Sequence, residues 1–266
     1  MIDLNDKPLC TIPRVMCWAV DNLELLKSQP DESVDLIYCD ILYGTGRKFA
    51  DYQDLKPIKE IIYEHYLPRV NEMRRVLNEN GSIYLQMDYR ITHWIRCIMD
   101  DIFGYGNFRN EIIWHYRTMK NDGKSFKEKH DNILFYSKSK EYTFNADSIR
   151  EEHTEATKKR YKRAKSGFTQ GELKGKGKIP NDVWDDCYLV NNQFKRESVG
   201  YATQKPKALI ERIIKASSNE GDTVADYYLG SGTTAVVCKE LNRNFIGCDM
   251  NPNAIEITKT RLNAET

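Results

Sequence analysis

A chain of 266 residues, 40% hydrophobic and 30% charged, holds enough apolar material for one large α/β domain or a domain with an insertion, and it needs no disulfide staples. It has no apolar run long enough to span a bilayer and no basic-then-apolar leader, so the reading is a soluble, cytoplasmic protein rather than a secreted or membrane one. Forty Lys and Arg against 39 Asp and Glu leave a net charge of +1 and exclude a uniformly basic or acidic surface.

In chain order, "RVMCWAV" (14–20) predicts a strand, "DNLELLKSQPDES" a short helix with a turn at Pro30, and "VDLIYCD" (34–40) a second strand; this order favours a parallel sheet. "IKEIIYEHYLPRVNEMRRVLNENG" (58–81) carries Ile61, Ile62, Val70, Met73, Val76 and Leu77 at helical spacing, with a kink expected at Pro68 and a stop at Asn80-Gly81. "SIYLQMD" (82–88) predicts a strand and "RITHWIRCIMDDIFG" (90–104) an amphipathic helix. From Phe108 to about Gly200 the periodicity weakens: "RNEIIWHYR", "NILFYSK" and "EYTFN" (141–145) read as short strands between polar stretches. Order returns with "KPKALIERIIKASSNEG", a helix opened by Pro206 and stopped by Gly221. The stretch from Thr223 to Leu262 parses as strand, glycine turn, helix, strand, turn and helix.

The seven cysteines (Cys10, Cys17, Cys39, Cys97, Cys187, Cys238, Cys248) are scattered and never form C-x-x-C, and no histidine pair has ligand spacing, so no metal is expected. Cys39 and Cys248 sit in apolar runs and read as small hydrophobes. Charge is concentrated in one place. Residues 156–178 hold nine Lys and Arg against one Glu, which makes this segment +8 and the remainder about −7. A solvated loop has such a composition, and so does a nucleic-acid contact; Tyr161 and Phe168 between the cations favour the latter.

In "ADYYLGSGTT" a strand ends at Asp226, and the chain passes through Gly230 and Gly232 into a helix near Thr233, where bare backbone and free N–H groups can meet a ligand. A second strand, "NFIGCD", ends twenty-three positions later at Asp249, placed as an acid that can accept from ribose hydroxyls. The third glycine of a dinucleotide fingerprint is absent, since Ala235 stands there; this points to a nucleoside cofactor without pyrophosphate.

These segments, with "DILY" at 40–43, "SVDLIYCD" before it, "GTGRKFADYQD" after it, "HDNILFYSK", "GKIPNDVWDD" and "TQKP", resemble the β class of DNA adenine-N6 and cytosine-N4 methyltransferases, in which the catalytic motif precedes the cofactor motif. The resemblance implies a doubly wound, mostly parallel Rossmann-like α/β fold, formed by 1–114 and 201–266, with a target-recognition insertion at 115–200. It implies S-adenosylmethionine as cofactor and transfer of its methyl group to N6 of adenine in duplex DNA with base flipping; cytosine-N4 transfer and a non-catalytic DNA-binding partner subunit are the alternatives. Duplex DNA, a second copy of the chain and a restriction enzyme are the implied partners.

By the same resemblance Asp40 and the carbonyl of Ile41 accept from the target amine and Tyr43 stacks on the base, while Ile41 and Leu42 replace the usual two prolines. Leu229, Gly230, Ser231, Gly232, Thr233, Asp249 and Asn251 would hold the cofactor. Asp226 would touch it or cap the turn; Gln204 and Lys205 would lie beside its methionine end or simply open a helix. Asp182 and Trp184 would line the adenosine pocket, or Trp184 would be a buried structural residue. Arg47, Lys48, Lys158, Lys159, Arg160, Lys162 and Arg163 are the expected phosphate contacts.

Overall fold

A computed structural model describes residues 10–12, 14–49, 52–116, 123–124, 126–163, 177–190, 197–201 and 203–264, with side chains described except at 10–12 and 160–163. The elements are β1 (Cys10–Ile12), β2 (Val15–Ala19), α1 (Asn22–Ser28), β3 (Val34–Asp40), α2 (Lys59–Val76), β4 (Leu77–Met87), α3 (Tyr89–Phe103), β5 (Phe108–His115), β6 (His130–Ser137), α4 (Glu155–Arg163), β7 (Val183–Trp184), α5 (Lys207–Ser217), β8 (Thr223–Asp226), α6 (Thr233–Glu240), β9 (Asn244–Asp249) and α7 (Pro252–Ala264). They build a nine-stranded sheet in the order β1-β2-β9-β8-β3-β4-β6-β5-β7. From β2 through β9, β8 and β3 to β4 every pairing is parallel.

Both faces are covered, which is why β3 is apolar along nearly its whole length. Ile37 and Cys39 face α1, α2 and α3 through Leu25, Ile62 and Ile95. Leu36 and Tyr38 face the other way, toward Leu209 and Ile213 of α5 and Val236 of α6. The fold is the doubly wound α/β arrangement expected. Cys39 and Cys248 are fully buried in it.

Two local expectations are corrected. The helix over 58–81 ends at Val76, and Leu77 already pairs with Val34 as the first residue of β4; Asn80-Gly81 belongs to an irregular stretch of that strand, where the ladder shifts between Val34 and Leu36. Gly81 packs so closely on Leu77 that a Cβ would lie 2.7 Å from its side chain. "EYTFN" is not a strand. The amide of Thr143 donates to the Asn80 carbonyl, and the Asn145 side chain donates to the carbonyls of Lys215 and Ser218, so the segment closes the end of α5 instead. Pro68 lies within α2, which remains one helix across it.

The sheet also runs through the stretch 115–200: β6 pairs antiparallel with β4 and β5, and β7 adds to the β5 edge. No helix among the described residues is long and apolar enough to cross a membrane.

Candidate active site

Three neighbouring parallel strands, β9, β8 and β3, each end in an aspartate: Asp249, Asp226 and Asp40. Parallel pairing brings these ends to one edge of the sheet, where open α/β sheets hold their ligands. A cavity of about 600 Å³ lies there, within the 300–1,000 Å³ range of small-molecule sites. Asp40, Ile41, Leu42, Tyr43, Lys205, Gly230, Asp249 and Asn251 all line it, as do Asp21, Tyr228 and Tyr201. An annex of about 30 Å³ sharing Asp40, Lys205 and Gly230 reaches Asp226, Leu229, Ser231 and Thr233.

Asp40 Oδ1 lies 2.9 Å from the Tyr43 hydroxyl oxygen, and Oδ2 accepts from Lys205 Nζ. Burial raises the Asp40 carboxyl above the usual carboxylate range, the Lys205 ammonium opposes this, and the Asp131 charge adds to it. The Tyr43 hydroxyl also lies 2.6 Å from Asp131 Oδ2 on β6. Asp131 further accepts from Gln86 Nε2 at 2.9 Å and from the Tyr116 hydroxyl at 2.8 Å. Gln86 Oε1 in turn accepts from Tyr38 at 2.8 Å.

The missing prolines leave no stranded donor at Ile41. Its N–H donates to the Gln86 carbonyl at 3.0 Å, extending the β3–β4 ladder by one residue, and its side chain is buried. The Leu42 carbonyl accepts from Tyr66 at 2.9 Å. Among the described residues nothing donates to the Ile41 carbonyl, which stands next to Asp40. The following loop hangs on Asp54, whose buried carboxylate accepts from the amides of Gly44 (3.1 Å), Thr45 (2.7 Å) and Leu55 (2.8 Å) and from the Thr45 hydroxyl. Arg47 and Lys48 are exposed on that loop, whose Thr45, Phe49, Tyr52 and Gln53 reach the cavity.

On the other side, Asp249 accepts from the amides of Gly230 and Asn251, both at 2.9 Å. The two turn glycines have different jobs. Gly230 borders the cavity with φ 51°, and the nearest neighbour of a Cβ there is Tyr201 at 3.5 Å. Gly232 caps α6 in the left-handed region at φ 75°, and its Cβ would fall 2.2 Å from Thr258 Oγ1 of α7. It permits helix packing rather than ligand approach. Arg261 of α7 donates to the Ser231 carbonyl at 2.7 Å and to the Thr233 hydroxyl at 3.0 Å, which fixes the turn from below.

Asp226 accepts from Thr234 at 2.6 Å and from the Tyr228 amide at 3.0 Å, so it caps the turn while edging the annex. Burial lifts its carboxyl to about 7; the Thr234 and Tyr228 donors oppose this, and Asp40 and Asp249 add to it. The native carboxyl thus keeps its proton up to about pH 7, whereas an unfolded one loses it near pH 4 (about 3.9). In that window the folded state binds more protons, so this group's contribution to stability declines as pH rises from about 4 to about 7. Asp226→Asn is expected to be more stable than the parent at pH 8 by about 4 kcal/mol, with the gap falling to about 1–2 kcal/mol at pH 5 and closing near pH 4, in paired urea melts. A gap independent of pH would show that Asp226 is ionised in the native protein throughout.

Other expected site residues lie elsewhere. Gln204 turns away, accepting from the Val199 amide and donating to the Glu197 carbonyl. Asp182 and Trp184 line a separate cavity of about 240 Å³ with Tyr84, Phe135 and Arg212, on the β5–β7 side of the sheet. Lys158 pairs with Glu155 on α4, Lys159 is exposed beside it, and the side chains of Arg160, Lys162 and Arg163 lie outside the described residues. Sequence reasoning passed over Asp131, Gln86, Tyr116 and Asp54. The available signal was a polar residue inside a run otherwise buried, which demands a partner.

Residues 34–260 match the DNA methylase family, and the type II methyltransferase M.HpaI of Haemophilus parainfluenzae is 35% identical over 245 residues, 91% of this chain and 72% of that relative. The chain belongs to the DNA methylase family. The methylase is also 34% identical over 250 residues to the DNA adenine methyltransferase YhdJ of Escherichia coli (strain K12), covering 91% of this chain and 80% of that one. In fold it resembles the PvuII DNA methyltransferase (cytosine-N4-specific), with TM-score 0.71, 18% identity and coverage of 97% and 90% of the two chains. The M1.HpyAVI–SAM complex superposes with TM-score 0.62 at 21% identity over 94% of this chain and 99% of that one.

The methylase is therefore a DNA methyltransferase of the N6/N4 type, a family that depends on S-adenosylmethionine. Its cavity suits this cofactor in kind: Gly230 offers bare backbone, Asp249 an acceptor beside it, and Lys205 a cation near the strand ends.

Proposed function

We propose that the protein methylates N6 of adenine in duplex DNA. The observation that carries this reading is the placement of Asp40 and Ile41 on the wall of a cavity that also holds the Gly230 turn and Asp249. Bound S-adenosylmethionine supplies an electrophilic methyl group. Asp249 and the Gly230 turn would hold the cofactor, with Lys205 at its charged end.

Asp40 and the Ile41 carbonyl accept the two hydrogens of the amine, which draws the nitrogen lone pair out of conjugation with the ring. The nitrogen would gain the methyl group as the methyl–sulfur bond breaks, its electron pair leaving on sulfur as a neutral thioether, and the amine would shed one proton to Asp40. Tyr43, pinned by its hydroxyl, presents a ring edge-fixed in the cavity for the extruded base. Adenine is favoured over cytosine by the aspartate at the head of the motif and by the 34% identity to an enzyme named for adenine.

Target recognition falls to the 115–200 stretch outside the strands β6 and β7, with the basic run 158–178 and Arg47 and Lys48 neutralising phosphates. A second copy of the chain and a restriction enzyme of matching site complete the proposed partners. The deciding experiment incubates the protein with mixed-sequence DNA and labelled cofactor, digests the product to nucleosides and separates them. Label in N6-methyladenosine's deoxy form is the expected result; label in N4-methyldeoxycytidine would move the assignment to cytosine, and no label at all would leave a DNA-binding subunit.

A further inference from the structure

One phenolic proton stands between two carboxylates. The Tyr43 oxygen is 2.9 Å from Asp40 Oδ1 and 2.6 Å from Asp131 Oδ2, and a hydroxyl can donate to one of them at a time. Lys205 already places an ammonium on Asp40, whereas the donors on Asp131 are the neutral groups of Gln86, Tyr116 and Tyr43. Asp131 is the closer acceptor and the one without a cation, so it draws the proton more strongly. It sits on β6, 3% exposed, fixed by partners from β4 and from the end of β5.

We propose that Asp131 is a positioning residue for methyl transfer: it holds the Tyr43 hydroxyl proton away from Asp40, so that Asp40 Oδ1 is kept for the target amine. This rests on Asp40 being the amine's acceptor. A tyrosine that donated to Asp40 would compete with the substrate for the same oxygen. The titratable and polar groups around this proton are Asp40 and Tyr38 from β3, Gln86 from β4, Asp88 ahead of α3, Tyr116 after β5, Asp131 from β6, Lys205 ahead of α5 and Asp226 from β8.

The test follows the carboxyl carbon of Asp40 by NMR in aspartate-labelled protein, assigned with Asp40→Asn, while pH is varied. In the parent, Tyr43→Phe should leave the Asp40 midpoint within about 0.3 unit, because the lost hydroxyl was not stabilising its ionised form. In an Asp131→Asn background the same change should raise the midpoint by about one unit, because the hydroxyl had turned to Asp40. In turnover, Asp131→Asn should lower kcat about thirtyfold with KM for DNA and cofactor unchanged, and adding Tyr43→Phe should recover about tenfold of that loss.

A rise of the Asp40 midpoint on Tyr43→Phe in the parent overturns the proposal, as does a double variant no faster than Asp131→Asn. The first comparison needs neither a folded Asp131→Asn nor any catalysis. A parent that fails to methylate DNA therefore counts against the proposed function alone, while the titration still decides where the proton lies.

Discussion

Asp40→Ala is expected to slow methyl transfer to DNA by at least about a thousandfold while leaving cofactor affinity within about threefold. In the proposed mechanism the carboxylate is the acceptor that pulls on the amine, and removing one preorganised polar group from a catalytic site costs about 10²–10³ in rate. A second loss comes from Lys205, whose ammonium is left beside an alanine in a mostly buried position, 11% exposed, where an unmatched charge disturbs its surroundings. The Gly230 turn and Asp249 lie on other strands and keep their mutual hydrogen bond. Single-turnover transfer of labelled methyl, read beside calorimetric binding of S-adenosylmethionine, separates the two. Asp40→Asn retains one acceptor oxygen and should fall between, about ten- to a hundredfold down. An alanine variant within tenfold of the parent would remove Asp40 from the chemistry.

Gly232→Ala should lower stability by about 2–5 kcal/mol and the melting temperature by roughly 4–20 °C. Two costs combine. The left-handed φ of 75° disfavours a Cβ by about 1–2 kcal/mol, and the new methyl would meet Thr258 at 2.2 Å, an overpacking cost of about 1–3 kcal/mol. Thr258 cannot simply rotate aside, since its hydroxyl donates to the Ala254 carbonyl at 2.8 Å and its own Cβ lies 2.7 Å from the added atom. Gly230→Ala is the internal comparison: it carries the backbone cost but meets only an ordinary contact with Tyr201, so its loss should be about 1–2 kcal/mol. Thermal melts of the two variants measure the difference, and equal losses would mean that α7 yields to the methyl group.

What was legible in one sequence followed from period and strand ends. "VDLIYCD" and "NFIGCD" are apolar runs closed by an acid, and parallel neighbours place such ends together, so the meeting of Asp40, Asp226 and Asp249 could be anticipated. What was not legible depends on partners distant in the chain. Asp131 meets Tyr43 from 88 positions away and Gln86 from 45, and no spacing rule connects them. The two glycines of "GSG" look alike as letters, and only the approach of Thr258 tells them apart. The substitution of Ile41 for proline was readable as an extra N–H, but its acceptor, the Gln86 carbonyl, depends on how far the β3–β4 ladder extends. The place of Trp184 was hidden for a similar reason: its strand joins the sheet at β5, at the far edge from the three aspartates, where the ring is buried.

The anchoring of Gly44, Thr45 and Leu55 by Asp54 has a thermodynamic side. Fixing a residue's backbone costs about 1–2 kcal/mol of conformational entropy, and a loop that ordered only on meeting its ligand would subtract that cost from every binding event. Here four donors converge on one buried carboxylate in the free protein, so the ordering of this wall is completed during folding. In the proposed mechanism DNA then meets a surface already shaped, and the binding free energy it releases is available for extruding the base.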